Sequence, residues 1–199
     1  MLYLFAYLVI RPFLLLLYRP KVKNYKALWQ KGKVIYVGNH VVLADPIAIG
    51  ILSPRVVHFM AKSTLSEKPF KRWLFRSLKT FPVRQYSADR KALKEAISLL
   101  ERGKAFGIFP EGHRNVDMQT MDTFDKGVSF IALRADAPIV PVYVVPGGFQ
   151  FGHRLRVAVG DPIYPSVVKE ECPAKKPVDA LTDRIMDTML TLREQAEAL

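Results

Sequence analysis

The chain opens with eighteen residues, MLYLFAYLVIRPFLLLLY, that carry one charge, Arg11, and one helix-breaker, Pro12. From Lys33 the pattern changes to short apolar runs alternating with longer amphipathic stretches. The runs at 34–37, 56–60, 81–83, 104–109 and 139–145 predict strands, that at 104–109 a buried one between Gly103 and Pro110. Residues 154–159 alternate basic and apolar side chains, as an edge strand does. Residues 88–102 set Ala92, Leu93, Ala96, Ile97 and Leu100 on one helical face, with Ser87 as the expected cap and Gly103 closing the end. Two more helices are predicted over 126–136 and 179–197, the second with Leu181, Ile185 and Met189 four residues apart. This alternation predicts an α/β domain with a largely parallel central sheet flanked by helices.

The first eighteen residues stand apart from that pattern. As one helix they would measure about 27 Å, against a hydrocarbon core of roughly 30 Å. An arginine at mid-bilayer costs at least ~2.5 kcal/mol, and Pro12 disfavours helical geometry at Arg11. The expectation is an apolar helical membrane anchor broken at Arg11, lying in one leaflet with Arg11 reaching the headgroups. A buried N-terminal helix is the alternative. Arg19, Lys21, Lys23, Lys26, Lys31 and Lys33 follow directly, a cluster that suits anionic lipid and the cytoplasmic face of a membrane. The organisation expected is therefore an anchor with a basic juxtamembrane segment over 1–30 and one domain over 31–199.

Composition narrows the function classes. Half of the 199 residues are apolar and 24% are charged, which excludes a disordered chain. A lone Cys172 excludes an internal disulfide. The net charge of +12 is unevenly placed: residues 1–84 hold 15 Lys/Arg and two acids, and 85–199 hold 15 Lys/Arg and 16 acids. That excess asks for an acidic partner, whether nucleic acid, anionic lipid or a phosphorylated small molecule. No nucleic-acid-binding motif is present, and the basic half is tied to the apolar leader, so no nucleic-acid partner is expected.

Two segments carry candidate chemistry. Asn39-His40 follows the first strand, with Asp45-Pro46 five residues on. On a regular helix His40 and Asp45 would lie about 140° apart, so a strand end, a turn and a helix start are needed to join them. Pro46 suits the first helical position, and Asp45 would serve there as the N-cap. Read for chemistry, a carboxylate on one imidazole nitrogen leaves the other free to take a proton, as a general base requires. The second segment, Phe109-Pro110-Glu111-Gly112-His113-Arg114, ends a buried strand, where α/β folds bind ligands. Glu111 offers an acceptor for hydroxyls, Gly112 a tight turn and Arg114 a fork for phosphate. Cys172 sits beside Glu170 and Glu171, which oppose a reactive thiolate. Phe70, Trp73, Phe75, Phe81 and Trp29 are open to two readings, an acyl tunnel or ordinary packing.

Together these segments resemble the glycerolipid acyltransferase family, of the bacterial 1-acyl-sn-glycerol-3-phosphate acyltransferase type. The resemblance rests on Asn39-His40-x4-Asp45-Pro46, Phe81-Pro82-Val83-Arg84, the segment 109–114 and Ile139-Val140-Pro141-Val142, in family order over half the chain. Phe124-Asp125-Lys126-Gly127 adds a lesser signature, and His113 departs from the family's Thr or Ser. The resemblance implies transfer of a fatty acyl group from an acyl-CoA or acyl carrier protein thioester to the free hydroxyl of lysophosphatidic acid. It implies His40 as base and Asp45 as its orienting group. Glu111, Gly112 and Arg114, with Arg84 and Lys62, would hold the acceptor. No metal and no cofactor beyond the thioester co-substrate is expected. Glycerol-3-phosphate or another lyso-lipid as acceptor, and a non-catalytic basic membrane- or nucleic-acid-binding protein, are the alternatives.

Overall fold

The structure is a computed structural model and describes residues 2–42, 44–84, 89–115, 123–150 and 152–199. In chain order the elements are helix α1, made of the abutting segments Leu2–Phe5, Ala6–Ile10 and Arg11–Tyr18, then β1 (Lys21–Lys23) and β2 (Val34–Gly38). They continue with α2 (Asp45–Leu52), β3 (Val57–Lys62), α3 (Pro69–Ser77), β4 (Thr80–Val83), α4 (Arg90–Glu101) and β5 (Ala105–Ile108). The chain ends with α5 (Gly127–Ala135), β6 (Ile139–Val144), β7 (Arg156–Val159), α6 (Pro165–Glu171) and α7 (Pro177–Glu197).

The strands form one sheet in the order β1-β7-β6-β2-β5-β3-β4. Strands β2 to β6 are mutually parallel, and only the β6–β7 pairing is antiparallel. The expected largely parallel sheet is thus present, with one correction at its rim. Strand β7 is not an edge, because β1 pairs beyond it, Lys21 to Arg156 through Lys23 to Ala158. Three residues reading Lys-Val-Lys carry too little pattern to announce a strand. Residues 19–30, expected as a juxtamembrane segment, contribute β1 and the buried pair Ala27 and Leu28 to this domain.

Alternation along β2 builds both layers of core. Ile35 and Val37 face α4, α5 and α7, joined there by Phe106, Ile139, Leu181 and Ile185. Val34 and Tyr36 face α2, joined by Ile49, Val140, Val142 and the inner side of α1 through Leu14, Leu15 and Tyr18. The N-cap of α4 is Asp89, which accepts the Lys91 and Ala92 amides; the expected cap Ser87 lies outside the described residues.

Helix α1 departs from expectation at Arg11. The helix is not broken there; the five residues before it widen into a π-helical stretch, and the Arg11 amide bonds to Ala6, five residues back. Pro12 lacks an amide to offer the preceding turn, and a wider turn accommodates that loss. Nor does Arg11 reach outward. Its Nε donates to the Ile51 carbonyl at 2.7 Å and its guanidinium lies 4.6 Å from the Tyr7 ring centre. Ile51 belongs to the last turn of α2, whose carbonyls have no intrahelical partner, so a cation there is favourable. Tyr7 and Tyr25 cover the same end through the Pro54 and Leu52 carbonyls.

Candidate active site

Strand β2 delivers the chain to the carboxyl edge of the sheet. At Gly38 a Cβ would come within 2.8 Å of the side chains of both Ile49 and Phe109, so only glycine lets α2 and the following loop close in. Asn39 then extends the β2–β6 pairing with its side chain. Its Oδ1 accepts the Val144 amide at 2.8 Å and its Nδ2 donates to the Val144 carbonyl at 2.9 Å, all of it buried. His40 leaves the sheet with its backbone clamped from the loop after β5: its amide donates to Glu111 Oε1 at 3.0 Å, and its carbonyl accepts the Asn115 amide at 2.7 Å.

Asp45 closes the turn from the other side. Its Oδ2 accepts the amides of Val41 and Val42 at 2.7 and 2.8 Å and lies 3.2 Å from Nδ1 of His40. This corrects the expected N-cap: the cap position of α2 is Ala44, and Asp45 is the first helical residue with its carboxylate turned back over the preceding loop. A carboxylate only accepts, so Nδ1 carries the proton and Nε2 is the basic nitrogen of His40. The Asp45 side chain is 4% exposed and that of His40 18%, so the contact operates largely out of water.

An aromatic stack fixes the plane of the imidazole. His40 lies on Phe109 with ring centres 4.6 Å apart at 27°, and Phe109 lies on Phe59 at 6.1 Å and 12°. The stack rests on Gly107, where an added Cβ would sit 2.2 Å from the Phe59 ring. The roles of Asn39, Phe109 and Phe59 were missed in the sequence. A glycine inside a strand was the one available signal, because it marks a close approach.

The remaining candidates are distributed along the edge. Glu111, expected as an acceptor for substrate hydroxyls, is 6% exposed, and its Oε1 accepts the His40 amide, so it braces the histidine backbone. Gly112 turns the loop at φ +69°, leaving His113 and Arg114 exposed. Lys62 ends β3 in register with Val83 of β4, and Arg84 follows; both side chains are exposed, and the Arg84 amide donates to Asp89. The strand order β2-β5-β3-β4 sets His40, Arg114, Lys62 and Arg84 in that sequence along one edge, roughly 14 Å from first strand to last. His40, Asp45 and Glu111 are in contact, while the three cations flank them. Cys172 packs with α7 on the other face of the sheet. Among the described residues no three His, Cys, Asp or Glu side chains gather as a metal-binding group.

Comparisons with known proteins identify the family. A family model described as acyltransferase matches residues 19–145. The chain belongs to the acyltransferase family. Its glycerolipid branch is represented by the 1-acyl-sn-glycerol-3-phosphate acyltransferase of Bacillus subtilis, 25% identical over 185 residues that make up 90% of each protein. The protein of the same name from Borreliella burgdorferi is 32% identical over 115 residues, 57% of this chain and 46% of that one. Among solved structures, the 1-acyl-sn-glycerophosphate (LPA) acyltransferase of Thermotoga maritima matches with a TM-score of 0.69 at 25% identity, covering 90% of this chain and 71% of that one. The matched residues 19–145 of this acyltransferase include the His40–Asp45 turn and the loop that clamps His40.

Proposed function

We propose that this acyltransferase moves a fatty acyl group from an acyl thioester to the free hydroxyl of lysophosphatidic acid, giving phosphatidic acid. The observation that carries the reading is the His40 imidazole, held at Nδ1 by a buried carboxylate and left with Nε2 as its base. Nε2 takes the hydroxyl proton as the oxygen attacks the thioester carbon, and Asp45 stabilises the imidazolium so formed. Collapse of the tetrahedral intermediate expels the thiolate, which recovers that proton and leaves as a thiol. Arg114 meets the acceptor phosphate, with Lys62 and Arg84 further along the edge; Glu111 and Gly112 shape the loop that presents Arg114. The named relatives support lysophosphatidic acid as the acceptor.

The acceptor's long tail stays in a bilayer, and the enzyme meets it there, at the cytoplasmic face. Among the described residues no helix is long and apolar enough to cross a membrane. Helix α1 instead turns Leu4, Leu8, Val9, Phe13 and Leu16 outward, each at least half exposed, which suits a helix lying in one leaflet.

The test is purified protein with lysophosphatidic acid and either acyl-CoA or acyl carrier protein thioester, read as phosphatidic acid formed. Product with one donor identifies it; glycerol-3-phosphate accepted in place of lysophosphatidic acid overturns the acceptor. His40→Ala abolishes turnover, and Arg114→Ala raises KM for the acceptor about 10–100-fold through a lost charge-assisted bond, with the donor KM little changed. The membrane reading is tested by Leu8→Ser/Phe13→Ser/Leu16→Ser, since Leu14, Leu15 and Tyr18 hold the other side of α1 on the domain. Full retention of that variant on vesicles overturns it.

A further inference from the structure

Helix α3 takes no part in the proposed chemistry. None of its nine residues is buried, although Leu74 and Phe75, with Leu78 just beyond its end, turn a half-buried side inward. Its outward side carries Phe70, 69% exposed, and Trp73, 55% exposed, one helical turn apart with ring centres separated by 5.9 Å. Burying two rings of that size is worth a few kcal/mol, and side by side they form an apolar patch of the kind that marks a contact surface. Around them stand Lys68, Lys71, Arg72, Arg76 and Lys79, all exposed, with no acid between 68 and 79. Arg72 and Arg76 line a shallow groove with Trp73, so the cations sit at the flanks of the indole.

The topology fixes where this surface looks. The step from β3 to β4 crosses the sheet in the same direction as the step from β2 to β3. Right-handed crossovers then place α3 on the face that holds α2 and α1, opposite α4, α5 and α7. That same face bears the His40–Phe109–Phe59 stack, and α3 is reached from the carboxyl end of β3, where Lys62 lies.

We infer that α3 is a second membrane-contact element, which seats Phe70 and Trp73 at the headgroup level of an anionic leaflet while its Lys and Arg side chains meet lipid phosphates. The inference rests on the reading of this enzyme as one that meets its acceptor at a membrane. Aromatic residues on one side of a short helix and cations at its flanks are the composition of an interfacial helix, and the charge is complementary to anionic lipid alone among bilayer surfaces. Two contacts on one face, α1 and α3, determine a plane where one would leave the domain free to tilt. The carboxyl edge that carries His40 is thereby kept near the headgroups.

The test uses full-length protein with Trp29→Phe, which leaves Trp73 as the only indole. Vesicles of phosphatidylcholine and phosphatidylglycerol, with and without bromine-labelled acyl chains, are added while sedimentation reports binding. The expected result is a blue shift of Trp73 emission and loss of its intensity on the brominated vesicles, both weaker on phosphatidylcholine alone. Protein that sediments with vesicles while Trp73 emission stays unmoved overturns the inference and leaves α1 as the membrane element. Protein that stays in the supernatant overturns both readings. A Trp73 shift caused by acyl carrier protein, and not by vesicles, assigns the surface to that acidic donor and also overturns the inference.

Discussion

Oδ2 of Asp45 accepts the amides of Val41 and Val42 and lies 3.2 Å from Nδ1 of His40, so one oxygen both shapes the turn and orients the base. The two duties separate in Asp45→Asn. An amide oxygen still accepts from the two backbone amides, but it carries no charge to stabilise an imidazolium, and an amide nitrogen turned to Nδ1 would favour the wrong tautomer. The expected outcome is a kcat lowered about 10²–10⁴-fold with a thermal midpoint close to that of the parent. Parallel measurement of kcat and melting checks it; a near-parental kcat would leave Asp45 with the turn alone.

Glu111 separates bracing from binding. Gln at this position keeps an oxygen for the His40 amide at the same reach, so Glu111→Gln is expected to hold kcat within about tenfold and to leave the acceptor KM in place. Glu111→Ala removes the acceptor beside a largely buried amide and is expected to destabilise the protein by about 1–3 kcal/mol, with kcat falling alongside. Steady-state kinetics of both variants decide the role. A rise in acceptor KM for Glu111→Gln with kcat intact would return the carboxylate to the substrate.

The site was legible in the sequence to the extent that it is made of motif residues placed at strand ends. His40, Asp45 and the loop at 109–115 are legible because apolar runs 34–37 and 104–109 mark their strands, and adjacent parallel strands bring their carboxyl ends together. What was not legible depends on contacts between segments. Glu111 reads as a polar loop residue, and only the fold shows it tucked beneath His40. Asp45 fits the composition of a helix cap and in fact bonds upstream. Arg11 reads as a charge seeking headgroups, and it is the open carbonyl at the end of α2, forty residues away, that turns it inward. Strand β1, three residues reading Lys-Val-Lys, is too short to carry a pattern.

Gly107 supports the stack from beneath. In Gly107→Ala the new methyl would meet the Phe59 ring at 2.2 Å, a distance the ring resolves only by moving. Overpacking of this kind costs about 1–3 kcal/mol. Phe59 passes the displacement to Phe109 and so to the plane of the His40 ring, and kcat is expected to fall more than the lost stability accounts for. Chemical denaturation with kcat measured well below the unfolding midpoint tests this. Loss of stability with unchanged kcat would show that the imidazole does not depend on the stack.

His58 gives the fold a pH dependence of known sign. It sits half-buried in β3 and donates from Nδ1 to the Ala105 carbonyl of β5 at 3.2 Å. Burial lowers its pKa from the ordinary 6.5; the hydrogen bond to Ala105 opposes that shift, and Lys79, Lys104 and Arg102 add to it. The unfolded chain therefore binds a proton at higher pH than the folded one. The contribution of the neutral imidazole is complete above about 6.5 and is lost as pH falls from there through the lower folded pKa. His58→Gln keeps a side-chain amide able to donate to Ala105 and does not titrate. Urea midpoints taken stepwise from pH 7.5 to pH 5 should fall for the parent and fall less for His58→Gln. Identical slopes for the two proteins over that window would show that other groups carry the acid sensitivity.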